Sequence, residues 1–206
     1  MSGIVTPSMK LCSLADFKDF TKMASTSAND TLLNTLIDRA SMLIERACRR
    51  KFKSQAYTAE IYDGNGDTWM YLRNAPVTAV STIHTRAAAT WTAETDVSTY
   101  LDYGDTDEQG FIFWMDGREF PEGTRNIKIT YTAGYATAPD SLPEVIQQAA
   151  IEMTQLLWFR REHLQHIIPS LTMIDGGTIV FRDKPIPDSV QAVINDYKLY
   201  GYGFTP

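Results

Sequence analysis

The sequence predicts an α+β protein: a helical domain built from N- and C-terminal helices, with an inserted antiparallel β domain. Apolar residues recur at steps of three and four near both ends of the chain, which is typical of amphipathic helices. The middle is rich in β-branched and aromatic residues with closely spaced turn residues, which favours antiparallel strands. Neither helical block has enough apolar surface to form a core alone. We therefore expect a helical domain of residues 1–52 and 136–206, ending in a C-terminal arm, and a β domain of residues 53–135.

Length and composition restrict the class of protein. Of the 206 residues, 44% are hydrophobic and 21% charged, a globular mixture that excludes wholesale disorder. The net charge of −6 disfavours tight binding to nucleic-acid phosphates. No secretion signal and no apolar run of transmembrane length is present, so we expect synthesis in the cytosol and no membrane partner. Cys12 and Cys48 form no disulfide framework, and Cys48 is expected to be a small buried hydrophobic residue.

Two helices are predicted near the N-terminus. Ser13 is a suitable N-cap for a short helix, and Asn29 or Asp30 begins a long helix over 30–50. The polar face of the long helix contains Asp38, Arg39, Glu45, Arg46 and Arg49. Its apolar stripe is predicted to comprise Leu32, Leu33, Leu36, Ile37, Ala40, Leu43, Ile44, Ala47 and Cys48.

The central block reads as a series of short strands. Strands are predicted at 57–62, 69–72, 76–83, around Trp91, within 97–103, and at 110–114 and 125–132. The glycine-rich turn at 63–67 is expected to join the first two as a hairpin. In the last strand Ile127, Ile129 and Tyr131 alternate with polar residues, which predicts one buried face.

A second group of helices is predicted after the β block. A helix is predicted from Pro143 to about residue 162, followed by a hairpin around 175–177 and a last helix that starts at Pro187. The tail after it carries Tyr200, Tyr202 and Phe204, separated by glycines. Aromatic side chains of this kind are typical interface anchors, and the alternative is that the tail packs on its own helices.

The usual catalytic and metal-binding patterns are absent from the sequence. The segment 63–67 resembles the start of a calcium loop, but Thr68 and Asn74 replace the glycine and glutamate that such a loop requires. His163 and His166 could form half of a zinc site, yet the one nearby candidate for a third ligand, Glu162, is expected on another face of the helix. A Ser/His/Asp triad from distant parts of the chain stays open, without positive support. We expect no enzyme activity, no cofactor and no metal.

Several segments, in order along nearly the whole chain, resemble one protein family. They are the N-terminal helix pair, Leu72 followed by Pro76-Val77, Gly110-Phe111-Ile112, Phe120-Pro121-Glu122-Gly123, the run from Asn126 to Tyr135, Pro139 with Leu142-Pro143, and Ile186-Pro187 with Val190, Ile194 and Tyr197. This ordered set resembles the head–tail connector proteins of tailed bacteriophages, also called adaptor or head-completion proteins, which occur in prophages and gene transfer agents as well. Many relatives are shorter and nearly all helical, so the β domain is a departure from the family pattern.

The resemblance implies a structural virion protein. Such proteins form a homo-oligomeric ring, usually of twelve subunits, beneath the portal protein; the ring extends the DNA channel and docks the stopper or tail-completion protein. DNA would pass without sequence-specific binding, and an acidic channel would repel its phosphates. The expected location is the virion neck, after assembly in the host bacterial cytoplasm.

The resemblance also suggests two sets of contact residues. Portal binding is expected from Val190, Ile194, Tyr197, Tyr200, Tyr202 and Phe204. Subunit contacts are expected from Asp38, Arg39, Glu45, Arg46, Arg49, Arg160 and Arg161, through a heterologous interface between unlike faces of neighbouring copies.

Two alternative functions stay open at this stage. Another neck component, such as a tail terminator, would be favoured by a hexameric assembly. A ligand-binding β module would be favoured if Trp69, Trp91 and Trp114 lined a sugar site, although tryptophans are more often core residues.

Overall fold

The computed structural model describes residues 10–23, 27–103, 110–163, 170–172, 178–180 and 186–198. Helices lie at both ends and antiparallel strands in the middle, which confirms the predicted α+β class. The described chain divides into two compact units: the helical unit, residues 10–48 and 143–198, and the β unit, residues 49–142. In the described part of the chain, no helix is long and apolar enough to cross a membrane.

The described elements have the following bounds. The α-helices are α1 (Leu14–Thr21), α2 (Asp30–Cys48), α3 (Val97–Tyr100), α4 (Glu144–His163) and α5 (Asp188–Tyr197). The strands are β1 (Gln55–Gly64), β2 (Trp69–Tyr71), β3 (Val77–Ala87), β4 (Thr90–Ala93), β5 (Leu101–Asp102), β6 (Phe111–Trp114), β7 (Gly123–Ala133), β8 (Ser170–Thr172) and β9 (Thr178–Val180). Short 3-10 helices precede α2 and α4, at Ser27–Asn29 and Pro139–Ser141.

Side chains fix the N-terminal helices of the helical unit. The hydroxyl of Ser13 accepts a hydrogen bond from the backbone N–H of Asp16 at 3.1 Å, so the predicted N-cap is confirmed. The carboxylate of Asp30, in the first turn of α2, lies 2.5 Å from the ammonium group of Lys18. This ion pair joins α1 to the start of α2, where a negative charge is favoured by the helix dipole.

The core of the helical unit forms where α2 packs against α4 and α5. The two ends of the chain therefore contribute to one core. The buried residues of α2 are Leu33, Leu36, Ile37, Ala40, Ser41, Ile44, Glu45 and Cys48. Leu43, predicted on this stripe, is 45% exposed. That prediction was wrong because Leu43 lies at the edge of the buried arc, about 20° beyond Leu36 around the helix.

The long helix α2 ends at Cys48, two residues before its predicted end. Arg49 has a backbone φ of 57°, in the left-handed region that ends a helix. Cys12 and Cys48 are free, buried thiols, as the sequence indicated for Cys48.

The β unit contains two antiparallel sheets. In one the strand order is β1-β7-β3-β4, and in the other it is β2-β6-β5. Their inner faces share one core, in which Ile127, Ile129 and Tyr131 of the central strand β7 are fully buried. The alternating pattern of β7 had predicted this buried face.

One prediction within the β unit was wrong, and another was right only in part. The segment 63–67 does not close a hairpin, because β1 pairs with β7 whereas β2 pairs with β6 in the other sheet. Gly64 permits a close approach instead: a Cβ on it would lie 1.8 Å from the carbonyl oxygen of Pro121. The segment 97–103 forms the one-turn helix α3 before the short strand β5, and the carbonyl of Asp96 accepts from the N–H groups of Thr99 and Tyr100.

Candidate interaction surfaces

The described residues bring no metal-binding group together. No group of three or more histidine, cysteine, aspartate or glutamate side chains in this part of the chain could hold a metal ion. The carboxylate of Asp63 accepts from the N–H of Arg125 at 2.6 Å, and that of Asp67 accepts from the amide of Asn65 at 3.2 Å. The side chain of His163 and all of His166 lie outside the described residues.

The three tryptophans of the predicted sugar site do not share a cleft. Trp114 is 4% exposed and belongs to the inner core, whereas Trp69 pairs with Phe113 on the opposite face of the same sheet. Trp91 lies in the other sheet, with the ammonium of Lys128 4.6 Å from its ring centre. The suggestion that all three tryptophans line one sugar site is therefore wrong.

A hydroxyl–carboxylate cluster lies inside the β unit. The hydroxyls of Tyr62 and Tyr131 donate to one carboxylate oxygen of Glu60, at 2.5 and 2.7 Å, and lie 3.0 Å apart. The backbone N–H of Arg73 and the amide of Asn74 donate to these two hydroxyls, at 3.2 and 3.0 Å. Burial raises the pKa of both tyrosines well above the usual value near 10, so both hydroxyls are protonated at neutral pH. The cluster is satisfied internally and has a structural role.

An exposed face of α2 has the composition of an interface. Arg39, Met42, Leu43 and Arg46 follow the spacing i, i+3, i+4, i+7 and therefore lie on one side of the helix. Met42 is 59% and Leu43 45% exposed. Methionine and arginine are enriched in protein–protein interfaces, and exposed apolar side chains flanked by charges mark such sites. We call these four residues the α2 outer face.

The predicted subunit-contact residues occupy different environments. Arg39, Arg46, Arg49 and Arg161 are exposed, whereas Asp38 and Arg160 are half-buried and Glu45 is 4% exposed. The sequence analysis missed Met42 and Leu43, the apolar centre of the α2 outer face. Met42 lies opposite the buried stripe, and that position was the available signal, because an apolar residue off the stripe of an amphipathic helix has no core to enter. Leu43 carried no such signal, because its spacing from Leu36 and Ala40 placed it on the predicted stripe.

The predicted portal-binding residues divide into three groups. Val190 and Ile194 are buried, at 0% and 4% exposure, and secure α5 within the helical unit. Tyr197, the last residue of α5, is half-buried. Tyr200, Tyr202 and Phe204 lie outside the described residues.

A shallow groove of about 400 Å³ runs between α4 and α5. Its lining includes the carboxylates of Glu144 and Glu152 together with Val145 and Val193, and Val145 is 51% exposed. Glu152 is held in place by hydrogen bonds from Gln148 and Ser189. The groove thus offers carboxylates beside an apolar surface.

Comparisons with known proteins identify the family. The family model described as head completion protein matches residues 10–200. No curated protein matches the chain at a significant level.

Three solved chains share the fold. One is from the neck of an empty gene transfer agent particle computed with C6 symmetry: 18% identity, TM-score 0.61, covering 96% of this chain and 95% of that chain. Another is from the neck of the native particle computed with C12 symmetry: 19% identity, TM-score 0.59, covering 97% and 95%. A third is from the virion of the native particle: 19% identity, TM-score 0.53, covering 93% and 91%. Because the family model spans nearly the whole chain, this protein belongs to the head completion protein family.

Proposed function

We propose that this chain is a head–tail connector that forms a ring, of about twelve subunits, beneath the portal of a virus-like particle. The ring extends the DNA channel and offers the docking surface for the next neck protein. Family membership over residues 10–200 carries this proposal and supports its broader part, a structural role in the neck rather than catalysis. The net charge of −6 suits a channel that does not retain DNA.

Ring closure requires two different, complementary surfaces on each subunit. The α2 outer face supplies two arginines around an exposed apolar pair, and the α4–α5 groove supplies two carboxylates around an exposed valine. We propose that the α2 outer face of one copy binds the α4–α5 groove of the next. Complementary charge fixes the register of such a contact, and the apolar centre supplies most of its stability.

One substitution tests this contact. Met42→Glu places an unpaired charge at the centre of the α2 outer face and should abolish ring formation on the portal without unfolding the subunit. Met115→Glu is the matched control, since Met115 is 57% exposed and lies in the β unit. Negative-stain microscopy and sedimentation with the portal measure both. Rings from both variants, or from neither, would contradict the proposed contact.

The C-terminal arm is proposed to dock on the portal through Tyr200, Tyr202 and Phe204. Full-length protein should co-sediment with the portal, and a version ending at Lys184 should not. Because that deletion also removes Val190 and Ile194 from the core, the sharper variant ends at Lys198 and keeps α5. If this shorter truncation binds the portal as well as the full chain does, the aromatic anchors are wrongly assigned.

A further inference from the structure

The outer face of the four-stranded sheet carries two cations beside one tryptophan. Lys128 alternates along β7 with the buried residues Ile127 and Ile129, which places it on the outer face. Its ammonium group lies 4.6 Å from the centre of the Trp91 ring, and the guanidinium carbon of Arg86 lies 5.8 Å from that centre. Because Trp91 is on β4, two strands from β7, its indole extends across β3. We call Arg86, Trp91 and Lys128 the basic patch.

The ring of Trp91 orients these cations without neutralising them. The attraction comes from the quadrupole of the ring, so both side chains keep their full charge for a further partner. The Nε–H of Arg86 also donates to the carbonyl of Ala88 at 3.1 Å, which restricts this side chain further. Side chains that are ordered in advance lose less conformational entropy when they bind. The basic patch is therefore suited to bind an anionic group.

Carboxylates lie around the end of β1 in the same unit. Asp63, Asp67 and Glu122 are exposed, and a Cβ on Gly66 would lie 3.6 Å from the Cβ of Glu122. The backbone N–H of Arg125 donates to the carboxylate of Asp63, so one arginine accompanies the three carboxylates. We call Asp63, Asp67 and Glu122 the acidic turn. Its charge is opposite to that of the basic patch.

The acidic turn and the basic patch lie at the same end of one sheet. Tyr62 of β1 and Thr85 of β3 are both aligned with Ile127 of β7. Asp63 and Arg86 follow them in strands that run in the same direction, because each strand is antiparallel to β7. Among the described strands, β1 and β4 stand at the two ends of the order β1-β7-β3-β4. The acidic turn therefore lies at one edge of the sheet, and the basic patch extends to the other.

We propose that the basic patch of one copy binds the acidic turn of the next copy in the ring. A heterologous contact joins two different surfaces and repeats around a closed ring, and opposite edges of one sheet supply such a pair. Complementary charge sets the register of the contact. A second copy fits better than DNA, because DNA phosphates at this end of the sheet would also meet the carboxylates of the acidic turn. This inference rests on the proposed ring and gives the β unit a role in subunit contact.

Cysteine cross-linking tests the contact, both in concentrated free protein and on the portal. Chains with Arg86→Cys and chains with Glu122→Cys should form mixed disulfide-linked dimers when combined under mild oxidation. Cys12 and Cys48 are buried, so the introduced thiols are the ones that react. Lys22→Cys, at an exposed cation of the helical unit, is the control and should not link to Glu122→Cys. Absence of the mixed dimer both in free protein and on the portal would overturn the proposal.

Charge reversal tests whether charge directs the contact. Lys128→Glu, added to the Arg86→Cys chain, should lower the yield of mixed dimer about tenfold, because like charges then face each other. Asp67→Lys, added to the Glu122→Cys chain, should restore the yield, which excludes misfolding as the cause. Lys22→Glu is the matched control and should leave the yield unchanged. An unchanged yield with Lys128→Glu would overturn the proposal.

Microscopy of the portal separates this inference from the proposed function. A ring on the portal without the mixed cross-link overturns the contact between β units and leaves the proposed function standing. Mixed cross-links in protein that adds no ring to the portal support the contact and count against the proposed function. If Lys128→Glu weakens binding to duplex DNA and leaves the cross-link unchanged, the basic patch binds phosphates and the proposal is overturned.

Discussion

The two units satisfy their buried polar groups in different ways. In the helical unit the hydroxyls of Ser41 and Thr154 donate to the carbonyls of Ile37 and Ala150, four residues earlier in the same helix, at 2.7 Å each. In the β unit the buried hydroxyl of Tyr131 depends on groups from two other segments: Glu60 and Tyr62 of β1, and Asn74 of the loop after β2. A helix can thus satisfy its polar groups before it packs, whereas the cluster in the β unit is satisfied only when its strands have the native register.

The largest expected effects come from the two apolar cores, which should respond alike. Ile37→Ala in the helical unit and Ile129→Ala in the β unit each remove a fully buried side chain. Each should lower the free energy of unfolding of its own unit by about 2–5 kcal/mol, from lost apolar burial and the cavity left behind. Urea unfolding measures this, with Trp158 as the fluorescent reporter of the helical unit. A loss below 1 kcal/mol at either site would show that its core is loosely packed.

Tyr131→Phe should show that the stability of the β unit depends on hydrogen bonds between distant segments. It removes one hydroxyl from the cluster and leaves its partners partly unsatisfied, which should cost about 1–3 kcal/mol of unfolding free energy. Tyr57→Phe is the control, since the hydroxyl of Tyr57 bonds within its own strand, to Gln55 at 2.6 Å. Equal losses of unfolding free energy for the two variants would mean that hydrogen bonds between segments contribute no more to stability than a hydrogen bond within one strand.

Alkaline pH should weaken the β unit through the same cluster. Because burial raises the pKa of Tyr62 and Tyr131 in the folded state, their contribution to stability is complete below the unfolded value near 10 and is lost as pH rises above it. Each tyrosine should add up to about 1.4 kcal/mol per pH unit to this decline. Unfolding measured between pH 9 and about 11 should show a shallower decline for Tyr131→Phe than for wild type. An unchanged slope would mean that the two hydroxyls titrate normally.

The smallest effect is expected at Thr154→Val. The hydroxyl of Thr154 donates to a carbonyl within its own helix, and a methyl group of similar shape replaces it. The free energy of unfolding should change by less than about 0.5 kcal/mol, since an apolar replacement of the same shape leaves no essential partner unsatisfied. A loss of the size expected for Tyr131→Phe would remove the difference between the two units.

The sequence predicted the helical unit more closely than the β unit, for a physical reason. Helical spacing determines both the element and its buried face, and the cap at Ser13 is a local interaction. Strand alternation correctly gave the buried face of β7, but a period of two specifies faces rather than partners. The pairing of β2 with β6 instead of β1 depends on contacts distant in sequence, such as the approach of Gly64 to Pro121.

The interaction surfaces were only partly predictable. Arg39 and Arg46 were expected at subunit contacts because they lie on the polar face of α2. Met42 was missed although it lies off the apolar stripe of α2, and Leu43 was assigned to that stripe by its spacing, so that only the structure shows its exposure. The juxtaposition of Trp69 and Tyr71 with Phe113 and Phe111 could not be predicted either, because it exists only through the register of β2 with β6.

The proposed ring of this chain at the portal can be observed by cryo-electron microscopy of the purified portal mixed with full-length protein, reconstructed without imposed symmetry. We expect one additional ring on the portal, of about twelve copies, with the helical unit forming the contacts between neighbours. A portal without added density would contradict it, and a separate six-membered ring would favour a tail terminator instead.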